Sequence, residues 1–345
     1  MKKLILILSV VVLVSCEADF SPNDSWRDVP IVYCILDQDD DTTYVRLQRC
    51  FLGEGDQRQY ASVPDSNYYP VGSVTVLMEE WTTWKDNDGR RHRYGNTPAR
   101  VYNFSYGHLN GKPEGIFSGG SQPIYYYPTG GMLDTTCLYC LKVIKNATGD
   151  TIAKAETLLI NGNMTLYKPN NVTLFNFSGS TKTCEITWSS LNEARQYQPL
   201  VRFWYRDFII DTTVIPQDTT IRVKSIDIPC NVVKSNMRDI SYTTKIEQQY
   251  FLSTIQQALI GDSCNKNVID TIDMFVYCCT EDLAAYLYAN NPSGSFNQDP
   301  FVYTNIDGGL GVFAARRHHI SFRVGTPLSS ASDYIRKLKE LNVGF

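Results

Sequence analysis

Apolar and polar residues alternate along much of the chain with the period of two that is typical of β-strands. Residues 43–49, Thr-Tyr-Val-Arg-Leu-Gln-Arg, show the pattern clearly. Runs of this kind are separated by turn-forming residues such as those of 86–89, and together they predict a mostly β protein. Strands are predicted at 31–36, 43–49, 74–78, 81–84, 90–94, 101–104, 138–145, 151–160, 171–177, 184–188, 197–208, 219–228, 271–278 and 311–324.

The spacing of these strands predicts two tandem β-sandwich domains of the immunoglobulin or fibronectin III type. The first covers residues 30–162, and the second covers residues 163–345. In the second, a strand that ends in Ile-Thr-Trp at Trp188 is followed by Ala194, Tyr197 and a long aromatic strand. This order resembles a fibronectin-like sandwich.

Helical periodicity interrupts the second unit. Residues 245–260 place Phe251, Leu252, Ile255 and Leu259 on one stripe. Residues 281–290 follow a capping threonine, and we expect Leu283 and Leu287 to face inward. The apolar residues of 332–342 predict a C-terminal helix.

The first residues have the organisation of an export signal. Two lysines precede the apolar run 4–14, which is too short to span a bilayer as a helix. Leu13-Val14-Ser15-Cys16 resembles the lipobox of bacterial lipoproteins, in which the cysteine is acylated. We therefore predict a signal peptide over 1–15, lipidation of Cys16 and a tether over 16–29. The alternative is an ordinary signal peptide that happens to contain a cysteine.

An acidic stretch follows that cysteine. Residues 17–24 resemble the signal by which Bacteroidota move lipoproteins to the cell surface, although every lipoprotein needs a solvated tether. We expect an outer-membrane protein that is lipid-anchored and faces the cell exterior.

The composition argues against nucleic-acid binding and bears on the state of the cysteines. The formal net charge is −4, and no basic face is evident that would suit nucleic acid. Of the ten cysteines, acylation uses one and leaves an odd number. Cys137 and Cys140 lie in a predicted strand, where residues three apart face opposite sides, so we expect buried free thiols rather than a redox pair. Cys278 and Cys279 are also interpreted as packing residues.

One segment carries a family resemblance. Asp299-Pro300 leads into Asn305-Ile306 and then Gly309-Leu310-Gly311-Val312-Phe313. This segment is similar to the closing motif of a Bacteroidota lipoprotein family named domain of unknown function 4249. Members are often encoded beside TonB-dependent receptors, so the resemblance implies an accessory role with an outer-membrane β-barrel as partner. It implies no catalytic residues. Independently, the glycines indicate a tight turn or bulge entering a strand.

Two charged clusters are candidate ion sites. Asp37, Asp39, Asp40 and Asp41 could hold calcium, but a solvated hairpin loop is the alternative. Residues 316–319, Arg-Arg-His-His, are expected to form an exposed basic patch, because adjacent histidines on a strand face opposite sides. We therefore predict no metal and no cofactor.

Tyrosine-rich segments are the candidate contacts for a partner. They are Tyr68-Tyr69 and Tyr125-Tyr126-Tyr127, each beside a proline in a loop-like context. Aromatic residues with few rotatable bonds make good contact surfaces. Packing at the rim of a sandwich is the alternative.

A tripeptide Asp-Thr-(Thr/Ile) recurs and resembles the O-glycosylation acceptor of exported Bacteroidota proteins. The alternative is that Asp ends a turn and Thr begins a strand. The acceptor residues would be Thr42, Thr135, Thr151, Thr212, Thr219 and Thr271.

These observations favour an accessory or binding subunit of a TonB-dependent uptake system or another outer-membrane complex. The alternative is a structural subunit of an outer-membrane assembly or surface layer that has no ligand of its own. The sequence has no Gly-x-Ser-x-Gly or His-Glu-x-x-His motif. We therefore predict a protein that is not an enzyme.

Overall fold

The protein is mostly β, with several sheets in a sandwich-like arrangement. The computed structural model describes residues 28–50, 57–87, 90–113, 115, 119–170, 175–177, 180–211, 213, 218–236, 238–260, 266–290, 302–318, 321–324 and 333–341. The predicted signal peptide, Cys16, Thr212 and most of the predicted strand 171–177 lie outside these residues. Within the described part of the chain, no helix has the length and apolarity that crossing a bilayer requires.

The largest sheet has ten strands and draws on both halves of the chain. Its strands are β1 (Pro30–Asp37), β2 (Thr42–Arg49), β7 (Ser105–Lys112), β8 (Gly120–Pro128), β13 (Gln196–Asp211), β14 (Asp218–Pro229), β15 (Val233–Lys234), β17 (Lys266–Cys279), β18 (Leu310–Arg317) and β19 (Ser321–Val324). The order along the sheet is β14-β13-β17-β18-β1-β2-β8-β7, with β15 paired to β13 and β19 to β17.

Three smaller sheets complete the β structure. They are a four-stranded sheet of β3 (Val74–Trp81), β6 (Arg100–Asn103), β9 (Leu138–Lys145) and β10 (Thr151–Leu158); a three-stranded sheet of β11 (Leu166–Lys168), β12 (Thr183–Ser189) and β16 (Ser241–Glu247); and a hairpin of β4 (Thr83–Lys85) and β5 (Arg91–Arg93). The helices are α1 (Gln57–Ala61), α2 (Pro64–Asn67), α3 (Gln248–Leu259), α4 (Glu281–Ala289) and α5 (Asp333–Glu340).

Two clusters of buried apolar side chains lie on the inner faces of these sheets. One contains Val32, Val45 and Leu47 from the large sheet with Met78 and Leu141 from the four-stranded sheet. The other contains large side chains of β12, β13 and β17, together with those of α3 and Leu338 of α5. Alternation of strand residues therefore produces the packed faces that the sequence predicts.

The strand β18 closes the first cluster, although the sequence assigned it to the second unit. It pairs in parallel with β1, from Ile31 opposite Leu310 to Asp37 opposite Arg316. A Cβ on Gly311 would lie 2.0 Å from the carbonyl oxygen of Val32, and its φ is +108°, so only glycine fits. The predicted turn entering a strand is present at residues 307–309.

Asn305 helps to hold the same strand in place. Its side-chain amide donates to the carbonyl oxygen of Phe313 at 2.7 Å, and the backbone N–H of Phe313 donates to the Asn305 side-chain oxygen at 2.9 Å. The motif that carries the family resemblance therefore has a structural explanation.

Two helix predictions need correction. The helix predicted at 245–260 begins at Gln248, because Lys245-Ile246-Glu247 continue β16 and pair with β12. Alternating burial of Tyr242, Thr244 and Ile246 shows the strand period there. The helix predicted at 281–290 is present as α4, but Leu287 is exposed and Leu283 is only partly buried. The C-terminal helix 332–342 is present as α5, eight residues long.

The cysteine prediction is confirmed for the four residues named above. Cys137, Cys140, Cys278 and Cys279 are buried and unbonded. Burial raises the pKa of the Cys137 thiol to about 11 and that of Cys279 to about 11. These thiols are therefore protonated at neutral pH and act as apolar packing groups.

Candidate binding groove

The outward face of the large sheet carries a concave site. On β1 the core takes Val32, Cys34 and Leu36, so the alternate residues, including Tyr33, face the other way. On β2 the same alternation turns Arg46 outward, directly opposite Tyr33. This face is therefore built from the positions that the core does not use.

Helix α4 brings Tyr286 to this face. The Tyr286 ring meets the Tyr33 ring edge-on, with centroids 6.0 Å apart and planes at 69°. Thr280 precedes the helix, but its hydroxyl bonds the backbone of Ala315 rather than capping α4. That contact ties the start of α4 to β18.

A groove of about 740 Å³ opens between these elements. Ligand pockets in proteins typically measure about 300–1,000 Å³. The lining residues are Ile31, Tyr33, Arg46, Gln48, Arg49, Cys50, Asn67, Lys112 and Tyr286.

The groove is electropositive. Arg46, Arg49 and Lys112 line it, and none of the lining residues that the structure describes carries a carboxylate. The Nε of Arg46 is buried and has no hydrogen-bond partner. An Arg49 Nη donates to the carbonyl oxygen of Asp65 at 2.6 Å, and its guanidinium lies 6.0 Å from the centre of the Tyr69 ring. These contacts position the Arg49 guanidinium but do not neutralise its charge, because a carbonyl oxygen and an aromatic ring carry no net charge.

Two other lining groups, the Tyr33 hydroxyl and the Cys50 thiol, have raised pKa values. Burial, followed by a hydrogen bond with Tyr286, raises the pKa of Tyr33 to about 12. Burial also raises the pKa of the Cys50 thiol. Neither group supplies a negative charge near neutral pH.

Of the tyrosines predicted as partner contacts, three have little exposed surface. Tyr68, Tyr69 and Tyr125 are buried. The hydroxyl of Tyr69 donates to Asp28 at 2.7 Å. The burial of these three tyrosines favours a packing role over direct contact with a partner. The ring of Tyr69 also helps to position Arg49.

The segment 125–127 lies in strand β8, not in a loop as expected. Tyr127 is partly buried and packs edge-on against Tyr102, whereas Tyr126 faces outward and is 38% exposed. The Tyr126 ring lies over Gly107, where a Cβ would come within 2.8 Å of it, and opposite exposed Tyr44. Tyr44 and Tyr126 therefore extend the outward face beyond the groove.

No protein-family model matches this chain, and no curated protein is similar to it. The membership in the family of domain of unknown function 4249 stays a prediction.

The predicted acidic loop and basic patch form one ion-pair cluster, so neither is simply solvated. Asp37 is buried and accepts hydrogen bonds from the N–H of Asp39 at 3.1 Å and from both the backbone N–H and the ring of His318. Arg316 lies 3.8 Å from Asp37 and 3.9 Å from Asp40. His319 lies outside the described residues.

The same cluster could be considered as a metal centre. One ligand atom each from Asp37, Asp40 and His318 lie within 4.8 Å of one another. However, Arg316 already approaches both carboxylates, and Arg317 pairs with Asp39 at 3.2 Å. These arginines supply the positive charge that a metal cation would supply. This favours a structural role for the ion-pair cluster, which we call the clasp because it joins the ends of β1 and β18.

The repeated threonines differ in accessibility. Thr151 and Thr219 are exposed, whereas Thr42, Thr135 and Thr271 are partly buried. The first residue of β2 is Thr42, and that of β10 is Thr151, as the turn-to-strand alternative expects. Thr271 instead lies inside β17, beside a register shift opposite β13. Glycosylation stays a prediction, and it is best directed at Thr151 and Thr219.

Sequence reasoning did not identify the groove residues. Tyr33 and Arg46 face each other across the antiparallel β1–β2 pair. The available signal was that they occupy outward positions of two alternating strands joined by a candidate hairpin loop. Lys112 and Tyr286 come from distant parts of the sequence, and their position beside this pair depends on strand order that periodicity does not specify.

Proposed function

We propose that this chain is an exported lipoprotein of the outer membrane that acts as a binding or accessory subunit of a TonB-dependent uptake complex or another outer-membrane protein complex. The observation that carries the proposal is the electropositive groove on the outward face of the large sheet. Its size and mixed aromatic and cationic lining suit recognition of a ligand or a partner segment.

The predicted tether supports the same proposal. It ends where β1 begins at Pro30, and the next residue, Ile31, lines the groove. The fourteen residues 16–29 span at most about 50 Å. A lipid on Cys16 would therefore keep the groove within reach of partners in the same membrane.

We also propose that the chain comprises two tandem sandwiches of the immunoglobulin or fibronectin III type. The two separate buried clusters support this interpretation. In the second, the Tyr197 hydroxyl accepts from the backbone N–H of Leu191 at 2.8 Å, which resembles the tyrosine corner of such sandwiches.

Replacement of the acylated residue tests the location. Cys16→Ala should release the chain from the outer-membrane fraction or leave the signal uncleaved, whereas wild type should stay with the membrane. Protease added to intact cells should cut the wild-type chain. If Cys16→Ala stays in the outer membrane as wild type does, the anchor is wrong. If wild type resists a protease that cuts a surface control, exterior exposure is wrong.

One observation favours the structural-subunit alternative. Strand β14 is the outer strand of the ten-stranded sheet, is twelve residues long and exposes Ile221 and Val223. A long edge strand of this kind is a template for pairing with another chain. The double variant Ile221→Lys/Val223→Lys should dissociate an assembly that pairs at this edge, which measurement of the native mass would detect. The accessory function predicts instead that ligand binding in the groove is unchanged in this variant.

A further inference from the structure

We infer that the groove binds a ring-shaped organic anion, with Arg46 of β2 as the group that pairs with its carboxylate, sulfate or phosphate. The inference rests on the binding role proposed above and specifies its ligand class.

Arg46 is the central group in this argument. It projects from the middle of β2, opposite Tyr33, and its buried Nε has no hydrogen-bond partner. A buried donor that lacks a partner is destabilising. The guanidinium fork matches carboxylate, sulfate and phosphate geometry in a bidentate manner, so such an anion would satisfy this donor and the charge together.

The surrounding charges favour the same ligand. Lys112 and Arg49 line the groove with Arg46, and no carboxylate lies among the lining residues in the described part of the chain. The pKa of Lys112 is lowered by loss of solvation and then by the positive charge of Arg46. An anion bound beside Arg46 would offset the positive charge that acts on Lys112.

The rest of the lining is suited to a ring rather than to a bare inorganic ion. Tyr33 and Tyr286 present aromatic rings, and Ile31 adds an apolar side chain. The Tyr33 hydroxyl stays protonated, and Gln48 offers an amide that can donate and accept. These groups can contact the body and the polar substituents of a saccharide or an aromatic acid.

The test is calorimetric titration of the full mature chain in detergent with two pairs of probes. Trigalacturonate is compared with neutral galactotriose, and phenyl phosphate is compared with phenol. Binding by trigalacturonate alone identifies an acidic saccharide, and binding by phenyl phosphate alone identifies an aromatic anion. In either case the affinity should fall as salt is raised, because the contact is electrostatic.

Arg46→Gln should weaken binding of the anionic probe at least about tenfold, since it removes the bidentate charged contact. Arg323→Gln is the matched control: it removes an exposed arginine elsewhere, which pairs with Asp273, and should leave affinity unchanged. Lys112→Gln, which does not remove Arg46, should weaken binding by a smaller factor. Unfolding temperatures of all variants separate binding effects from folding effects.

The inference is overturned if neither anionic probe binds at about 10 mM, a concentration high enough to detect weak binding. It is equally overturned if the neutral probe binds as well as its anionic match, or if folded Arg46→Gln and Lys112→Gln bind as wild type does. Such results would not alter membrane fractionation of Cys16→Ala, so failure of the ligand class is distinguishable from failure of the proposed function.

Discussion

Asp207→Asn is a direct test of how burial sets the strength of an ion pair in this sheet. Asp207 lies on β13 with its side chain fully buried. Arg222 on β14 contacts both carboxylate oxygens, with Nε–Oδ1 at 3.0 Å and Nη2–Oδ2 at 2.7 Å, and the Lys224 Nζ lies 2.7 Å from Oδ2. Asparagine would place an amide donor against one of these cations.

The expected cost follows from those contacts. Removing one partner of a buried ion pair typically costs about 3–5 kcal/mol. Arg222 and Lys224 are 44% and 31% exposed, so water can solvate the charges that are left behind. We therefore expect Asp207→Asn to lower the free energy of unfolding by about 2–3 kcal/mol.

Asp227→Asn provides the matched control. Asp227 pairs with Arg202 across the same two strands in the same bidentate geometry, at 2.6 and 2.8 Å, but its side chain is 43% exposed. Exposed pairs contribute about 0–1 kcal/mol. The two pairs share the strand pair and the bidentate geometry, and they differ in burial and in the additional Lys224 contact of Asp207.

The loss should depend on pH in a defined direction. Hydrogen bonds from Arg222, and then from Lys224, lower the pKa of Asp207 in the folded chain. A lowered folded pKa gives stabilisation that is present above the unfolded value of about 3.9 and is lost as the pH falls through the folded value. The difference between wild type and Asp207→Asn should be constant from about pH 5 to 8 and shrink below about pH 4.

Urea unfolding followed by tryptophan fluorescence at several pH values measures these effects. The reasoning is refuted if Asp207→Asn costs no more than Asp227→Asn at pH 7. It is also refuted if the difference between wild type and Asp207→Asn persists undiminished in acid.

Further predictions concern the β1–β18 contact and modification. Gly311→Ala should cost about 3 kcal/mol or more or prevent soluble expression, because its Cβ would clash with the Val32 carbonyl and its φ is +108°; denaturant unfolding of any soluble variant measures this. Asp37→Ala should speed hydrogen exchange at the His318 amide, which loses its acceptor; unchanged exchange would contradict the clasp. Intact mass of protein from its native host should exceed that of the lipidated chain if the proposed glycan is present, and Thr219→Ala should remove one such increment.

Sequence periodicity does not predict β7 or β8, and residues 125–127 were expected in a loop rather than in β8. It was sufficient for most of the other strands and their inward faces, and for α3 after a shift of its start. The shift arose because Lys245-Ile246-Glu247 fits both a helical stripe and a strand, and pairing with β12 decides between them. The pairing of β1 with β18 could not be predicted, because it joins residues separated by nearly the whole chain and leaves no local signal. The groove depends on that order of strands, so its residues were equally hidden.

Purification of an affinity-tagged chain from native outer membranes in mild detergent tests the central proposal most directly. The account predicts that an outer-membrane β-barrel co-purifies in a fixed ratio with the wild-type chain and is lost with Cys16→Ala. A wild-type chain that is lipidated and folded, yet elutes without a β-barrel under conditions that preserve a known receptor complex, would contradict it.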